Sequence, residues 1–81
     1  MDKAEVEEKV LDILEDVCGD DIVRDERDMD LFAAGLLDSM GGIEVLVRLQ
    51  DEFGVEIAPT AVERSEMNSV NTIIHQVETR L

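Results

Sequence analysis

Aromatic side chains are nearly missing from this sequence: it has no Trp and no Tyr, and Phe32 and Phe53 are the only phenyl rings. Its core must therefore be built from Val, Leu, Ile and Met. Apolar residues make up 44% of the chain, enough to expect folding rather than disorder. Cysteine occurs once, as Cys18, which excludes an internal disulfide and fits a reducing compartment. Basic residues are scarce, seven against 21 acidic ones, for a formal charge of −14. Such a surface repels nucleic acid and anionic membranes, and basic protein surfaces are its natural partners. No apolar run approaches the length that spans a bilayer, and the acidic start lacks the pattern of a signal peptide. The expectation is a cytoplasmic, monomeric chain forming one small domain over residues 1–81.

The single histidine, His75, and the single cysteine limit the chemistry further. One His and one Cys cannot fill a structural zinc site, and no Cys–His or Ser–His–Asp pairing is evident. His75 sits beside the apolar face of a predicted helix and reads as a partly exposed surface residue. Cys18 continues an apolar helix end and reads as a small core residue. The acidic run "DMDLFAAGLLDS" fails as a calcium loop: Phe32 stands at the third ligand position, Ala33 where glycine is needed, and Ser39 where the closing Glu belongs. No metal site and no catalytic machinery are expected.

What the chain does have is helical periodicity. Val6, Val10, Ile13, Leu14 and Val17 fall on one face of a first helix, and Gly19 stops it. Residues 20–37 carry no period and read as a long loop pinned by Ile22, Val23, Leu31, Phe32 and Leu36. Asp38 is a good N-cap for a second helix, which Gly54 ends after Phe53. Its expected core face is Leu46, Leu49 and Phe53. Pro59 and Thr60 open a short helical turn through "TAVERSEM", and "FGVEIAP" before it reads as an extended connector. Ser69 caps a last helix with Val70, Ile73, Ile74, Val77 and Leu81 on one face. The predicted fold is all-α, three main helices plus one short helix in a four-helix bundle, with a long loop between the first two.

Ser39 follows the predicted cap and so occupies the first helical turn, where unpaired N–H groups and the positive end of the helix dipole favour an attached or bound phosphate. Gly41 and Gly42 each weaken the helix by about 1 kcal/mol relative to Ala, and leave room around the serine. An ordinary cap that reads Asp-Ser explains the same residues, and local physics leaves both readings open. Met40, Glu44, Val47 and Asp51 follow at i, i+4, i+7 and i+11, away from the core face. This apolar and acidic stripe beside Ser39 suits docking to a basic, apolar-lined partner. The plainer alternative packs Met40 and Val47 under the long loop.

The segment "GLLDSMGGIEVLVRLQDEFGV" resembles the attachment segment of carrier proteins, in which the serine of Asp-Ser-Leu or Asp-Ser-Met bears 4′-phosphopantetheine. The likeness extends over almost the whole chain. Through "VLDILEDVCGDDIV", "LFAAGLLDSMG" and "LVRLQDEFGVEI" it is most similar to the D-alanyl carrier family of Gram-positive bacteria. In that family a glycine, here Gly41, stands where fatty-acid carriers usually have an acidic residue. Before the last helix the family pattern is kept approximately at Val62, Glu63 and Arg64, while Met67 replaces an aromatic residue and Val70 a proline.

The resemblance implies an acyl-carrier-protein-like fold and a non-catalytic carrier modified at Ser39 by a phosphopantetheinyl transferase, with Asp38 presenting the serine and Met40, Glu44 and Val47 meeting partners. It further implies loading by a D-alanine–carrier ligase and delivery to a membrane acyltransferase for D-alanylation of teichoic acids in the cell wall. The alternatives are an acyl carrier for fatty-acid, polyketide or non-ribosomal peptide synthesis and a structural acidic adaptor with an unmodified serine.

Overall fold

In the computed structural model, which describes residues 2–81, three α-helices carry the fold: α1 (Lys3–Cys18), α2 (Ser39–Phe53) and α3 (Val70–Glu78). Two short 3-10 helices, Asp21–Arg24 and Arg64–Glu66, lie in the connections. No strand occurs among the described residues, and after Phe53, the last residue of α2, the rest of "FGVEIAP" runs without regular structure. No helix of the described chain is long and apolar enough to cross a membrane.

Local chemistry sets each helix end. The Asp2 carboxylate accepts the Glu5 N–H at 2.8 Å to start α1, and Gly19 ends it in the left-handed region at φ 71°, where a side chain would be strained. Gly54 ends α2 in the same way at φ 69°. For α3, Ser69 and Thr72 form a reciprocal capping box: the Thr72 N–H donates to Ser69 Oγ at 3.2 Å, and the Ser69 N–H to Thr72 Oγ1 at 3.0 Å.

α1 is the shared partner, packing against both α2 and α3. Val6, Val10 and Leu14 of α1, Val45 and Leu49 of α2, and Val70, Ile73 and Val77 of α3 are almost wholly removed from solvent. Most expected core positions hold; in α1, Leu11 is buried as well and Val17 is only half-buried. Val45 and Gly42 join the buried side of α2, whereas Phe53 is half-buried at its rim. Leu81 lies beyond the end of α3 and is 58% exposed. The short helix expected from Pro59 onward is reduced to the Arg64–Glu66 turn: there two 3-10 bonds follow one another, Glu66 N–H to Glu63 C=O and Met67 N–H to Arg64 C=O, whereas the Ala61 N–H to Ala58 C=O bond closes an isolated turn.

Residues 20–37 are a chain of turns held at both ends. Arg24 reaches back to α1, where Glu8, Asp12 and Glu15 share one face, and bonds them at 3.0, 2.6 and 2.8 Å. These bonds, the one to Glu15 foremost, hold the guanidinium charged well above its ordinary range. At the other end the Leu31 N–H donates to the Asn68 carbonyl at 2.7 Å, and the Asn71 N–H to the Arg27 carbonyl at 3.1 Å. Val23 and Leu31 are fully buried and Leu37 nearly so, while Ile22, Phe32 and Leu36 are only partly covered. Cys18 is half-buried against the same core, and burial first, then the Asp20 charge, pushes its thiol pKa up.

Leu31 has no exposed surface although it belongs to no helix. Leu31→Ala should therefore cost about 2–5 kcal/mol, as for a leucine inside a helical core. Urea unfolding measures this. A loss below about 0.5 kcal/mol, the range of surface substitutions, would show that the segment does not share the core.

Candidate functional site

Asp38 has extended backbone, and its carboxylate accepts the Gly41 N–H at 2.7 Å while its carbonyl accepts the Gly42 N–H at 2.9 Å. The first turn of α2 is thus fixed from outside the helix, and Ser39 becomes its exposed first residue. The two glycines that follow have separate reasons. A Cβ at Gly41 would stand 3.2 Å from the Asp38 carboxylate oxygen and 3.3 Å from Leu37 Cδ2, crowding the cap. A Cβ at Gly42 would stand 3.3 Å from Phe32 Cζ and 3.5 Å from Met67 Cε. The pair makes room for the cap and for Phe32 rather than directly for an approach to the serine.

Phe32 reaches this place because Asp30 folds the chain before it: the Asp30 carboxylate accepts the Phe32 and Ala33 N–H groups at 3.0 and 3.1 Å. Over the Phe32 ring, 4.4 Å from its centroid, lies the guanidinium of Arg64, within cation–π range. Arg64 Nη2 also points at Ser39 Oγ, 3.5 Å away. Beside the serine opens a cavity of about 180 Å³ whose lining includes Phe32, Gly42, Ile43, Arg64 and Met67. The site is therefore an exposed hydroxyl at a helix start, one cation in reach, and an apolar hollow at its side.

The other predicted residues lie along the exposed side of α2. Met40 is 80% exposed and Val47 53%, so neither packs under the long loop, and Glu44 is exposed between them. Phe32 takes the covering position instead. Ile43, half exposed, belongs to the same surface and was absent from the predicted stripe. Its spacing, three after Met40 and four before Val47, was sufficient to find it. Arg64 could not be found that way, since it lies 25 residues from Ser39 in a stretch without a period. His75 is exposed on α3, by a groove lined by Ser65, Glu66 and Thr72 among others, apart from Ser39.

Comparison with known proteins bears on this geometry. Residues 8–77 match the family model described as "Phosphopantetheine attachment site". The chain is 48% identical over 69 residues to a D-alanyl carrier protein of Lacticaseibacillus casei, covering 85% of each chain. It is 41% identical over 76 residues to one of Abiotrophia defectiva, covering 94% of this chain and 96% of that one. Against one of Bacillus velezensis the identity is 38% over 73 residues, covering 90% and 94%. On both grounds the chain belongs to the phosphopantetheine attachment site family and, within it, to the family of the D-alanyl carrier proteins.

Proposed function

We propose that this chain is a carrier whose Ser39 bears 4′-phosphopantetheine and whose cargo is D-alanine, held for the D-alanylation of teichoic acids. The observation that carries the reading is Ser39 itself: an exposed hydroxyl on the first residue of α2, directly after a capping Asp38. The surroundings fit a phosphodiester there. The dipole at the start of α2 favours negative charge, Arg64 lies within reach, and an apolar hollow adjoins the hydroxyl. The D-alanine cargo is taken from the names of the relatives, which match nearly the whole chain.

The carboxylate beside Ser39, that of Asp38, is occupied as the helix cap. A phosphopantetheinyl transferase would supply the base and a metal ion. The Ser39 hydroxyl attacks the coenzyme A pyrophosphate, a new O–P bond forms, the pyrophosphate bond breaks with loss of adenosine 3′,5′-bisphosphate, and the hydroxyl proton goes to the transferase. When bound, the prosthetic group supplies a terminal thiol for a thioester. This chain's own residues position and present: Asp38 fixes the helix start, and Met40, Ile43, Glu44 and Val47 offer an apolar surface edged with charge. Successive partners would be the transferase, an ATP-dependent D-alanine ligase in the cytoplasm and a membrane acyltransferase. The Arg64–Glu66 turn stands for the short helix of a carrier-type four-helix bundle, and residues 1–81 act as one monomeric domain without catalysis of their own.

Incubation with coenzyme A, magnesium and a broad-specificity phosphopantetheinyl transferase should add one phosphopantetheinyl mass to the wild type and none to Ser39→Ala. Unchanged wild-type mass, where a control carrier is modified, would sink the carrier reading in favour of an acidic adaptor. Glu44→Lys should leave stability within about 0.5 kcal/mol, as exposed positions do, yet slow loading; the wild-type rate should fall as salt rises. A rate indifferent to both the substitution and salt would remove Glu44 from docking. For the cargo, the modified protein should form a D-alanyl thioester with a D-alanine ligase and ATP, in preference to a long acyl chain from an acyl-carrier synthetase. The reverse preference would point to fatty-acid or polyketide carriage and leave Ser39 in place.

A further inference from the structure

We infer that Arg64 is a positioning residue for the modified serine: its guanidinium, pivoting on the Phe32 ring, clasps the phosphodiester at Ser39 and sets the direction in which the arm leaves the protein. This inference rests on the carrier reading of Ser39. Its own support is the state of Arg64 before modification.

Charged partners are plentiful in a chain with 21 acidic residues. Lys9, Arg24, Arg27 and Arg48 each hold at least one carboxylate. Arg64, like Lys3 and Arg80, makes no ion pair among the described residues, although Glu63 and Glu66 flank it in sequence. Glu66 is engaged elsewhere, its carboxylate accepting the Glu63 N–H at 2.9 Å. The one polar side-chain contact found for Arg64 is Ser39 Oγ at 3.5 Å, long for an N–H···O hydrogen bond. A planar fork with five donors is thus held near the serine while its bonding capacity stays largely unused.

The Phe32 ring 4.4 Å below explains how it is held. Contact with the ring face holds the guanidinium beside the serine without using its N–H donors. Modification converts the neutral Ser39 hydroxyl into one of the two ester oxygens of an anionic phosphodiester, next to the Asp38 carboxylate. That new charge is repelled by Asp38 and by the acidic surface at large. Arg64 needs only a small rotation over Phe32 to exchange one weak bond to the hydroxyl for charge-assisted bonds to the phosphate oxygens. The glycine at position 42 belongs to the same device, since a Cβ there would press on Phe32 Cζ.

The test compares wild type, Arg64→Lys and Arg64→Gln, with modification verified by mass and folding by the dispersion of backbone amide resonances. In wild type the Arg64 side-chain Nε resonance should shift between the unmodified and modified forms. The ³¹P resonance of the modified wild type should differ from that of Arg64→Gln. It should move toward the Arg64→Gln position as salt rises from about 0.05 to about 0.5 M, over which the screening length falls about threefold. Arg64→Lys should recover part of the difference, because it keeps the charge and loses the fork. A purely structural role for Arg64 gives no salt-dependent ³¹P shift. An Nε resonance unmoved by modification, or identical ³¹P positions in wild type and Arg64→Gln, overturns the inference. If Arg64→Gln does not fold, the wild-type Nε shift and the Arg64→Lys ³¹P position decide. A wild type that accepts no phosphopantetheinyl group removes the carrier reading along with it, and the mass measurement distinguishes that failure.

Discussion

A small domain carrying 14 excess negative charges must hold together against its own repulsion, and the arrangement of its few cations is the constraint that organises the rest. The outer side of α1 is mostly acidic, and ion pairs made by four basic side chains, one of them its own Lys9, draw other parts of the chain onto it. Arg24 and Arg27 bring in the segment after α1, and Arg48 and Lys9 join it to α2 through Asp16 and Glu52. Exposed pairs of this kind contribute little individually. Their effect is geometric: Arg24, Arg27 and Arg48 answer carboxylates on α1 from elements that must lie alongside, and Lys9 of α1 answers Glu52 of α2. The apolar core then closes beneath them.

The helices were legible in the sequence because their signals are local. Asp38 and Ser69 before the second and third amphipathic runs, and a Gly after the first two, marked ends that the structure keeps. The connections were not legible in the same degree. Turns in residues 20–37 depend on Asp30 bonding its neighbours and on backbone bonds to Asn68 and from Asn71, residues about 40 positions away. No periodicity announces such pairings. Leu81 was misplaced because the α3 pattern continues past Glu78 while the helix does not.

The candidate site divides along the same line. Ser39, Asp38 and the exposure of Met40, Glu44 and Val47 follow from a cap and a helical wheel. The neighbours of Ser39 across space, Phe32 and Arg64, come from two irregular segments and meet only in the folded chain. The glycines show how a correct residue can carry an incomplete reason. They were read as space for whatever approaches the serine, yet Gly41 gives space to the cap and Gly42 to a phenyl ring. With so few aromatic residues available, that one ring serves both as cover for the loop and as a platform beside the site.

The brevity of α3 has a consequence for how the molecule opens. Nine residues are fewer than an isolated helix needs to persist in water, and a capping box adds only about 1 kcal/mol. Yet Val70, Ile73, Ile74 and Val77 stand in the centre of the core. This helix can neither survive apart from the other two nor leave without stripping their common interior, so unfolding is cooperative and breathing is confined to the ends and turns. Whatever grasps the exposed side of α2 therefore meets a domain with no softer half, and the start of that helix stays a fixed point while everything attached to it swings.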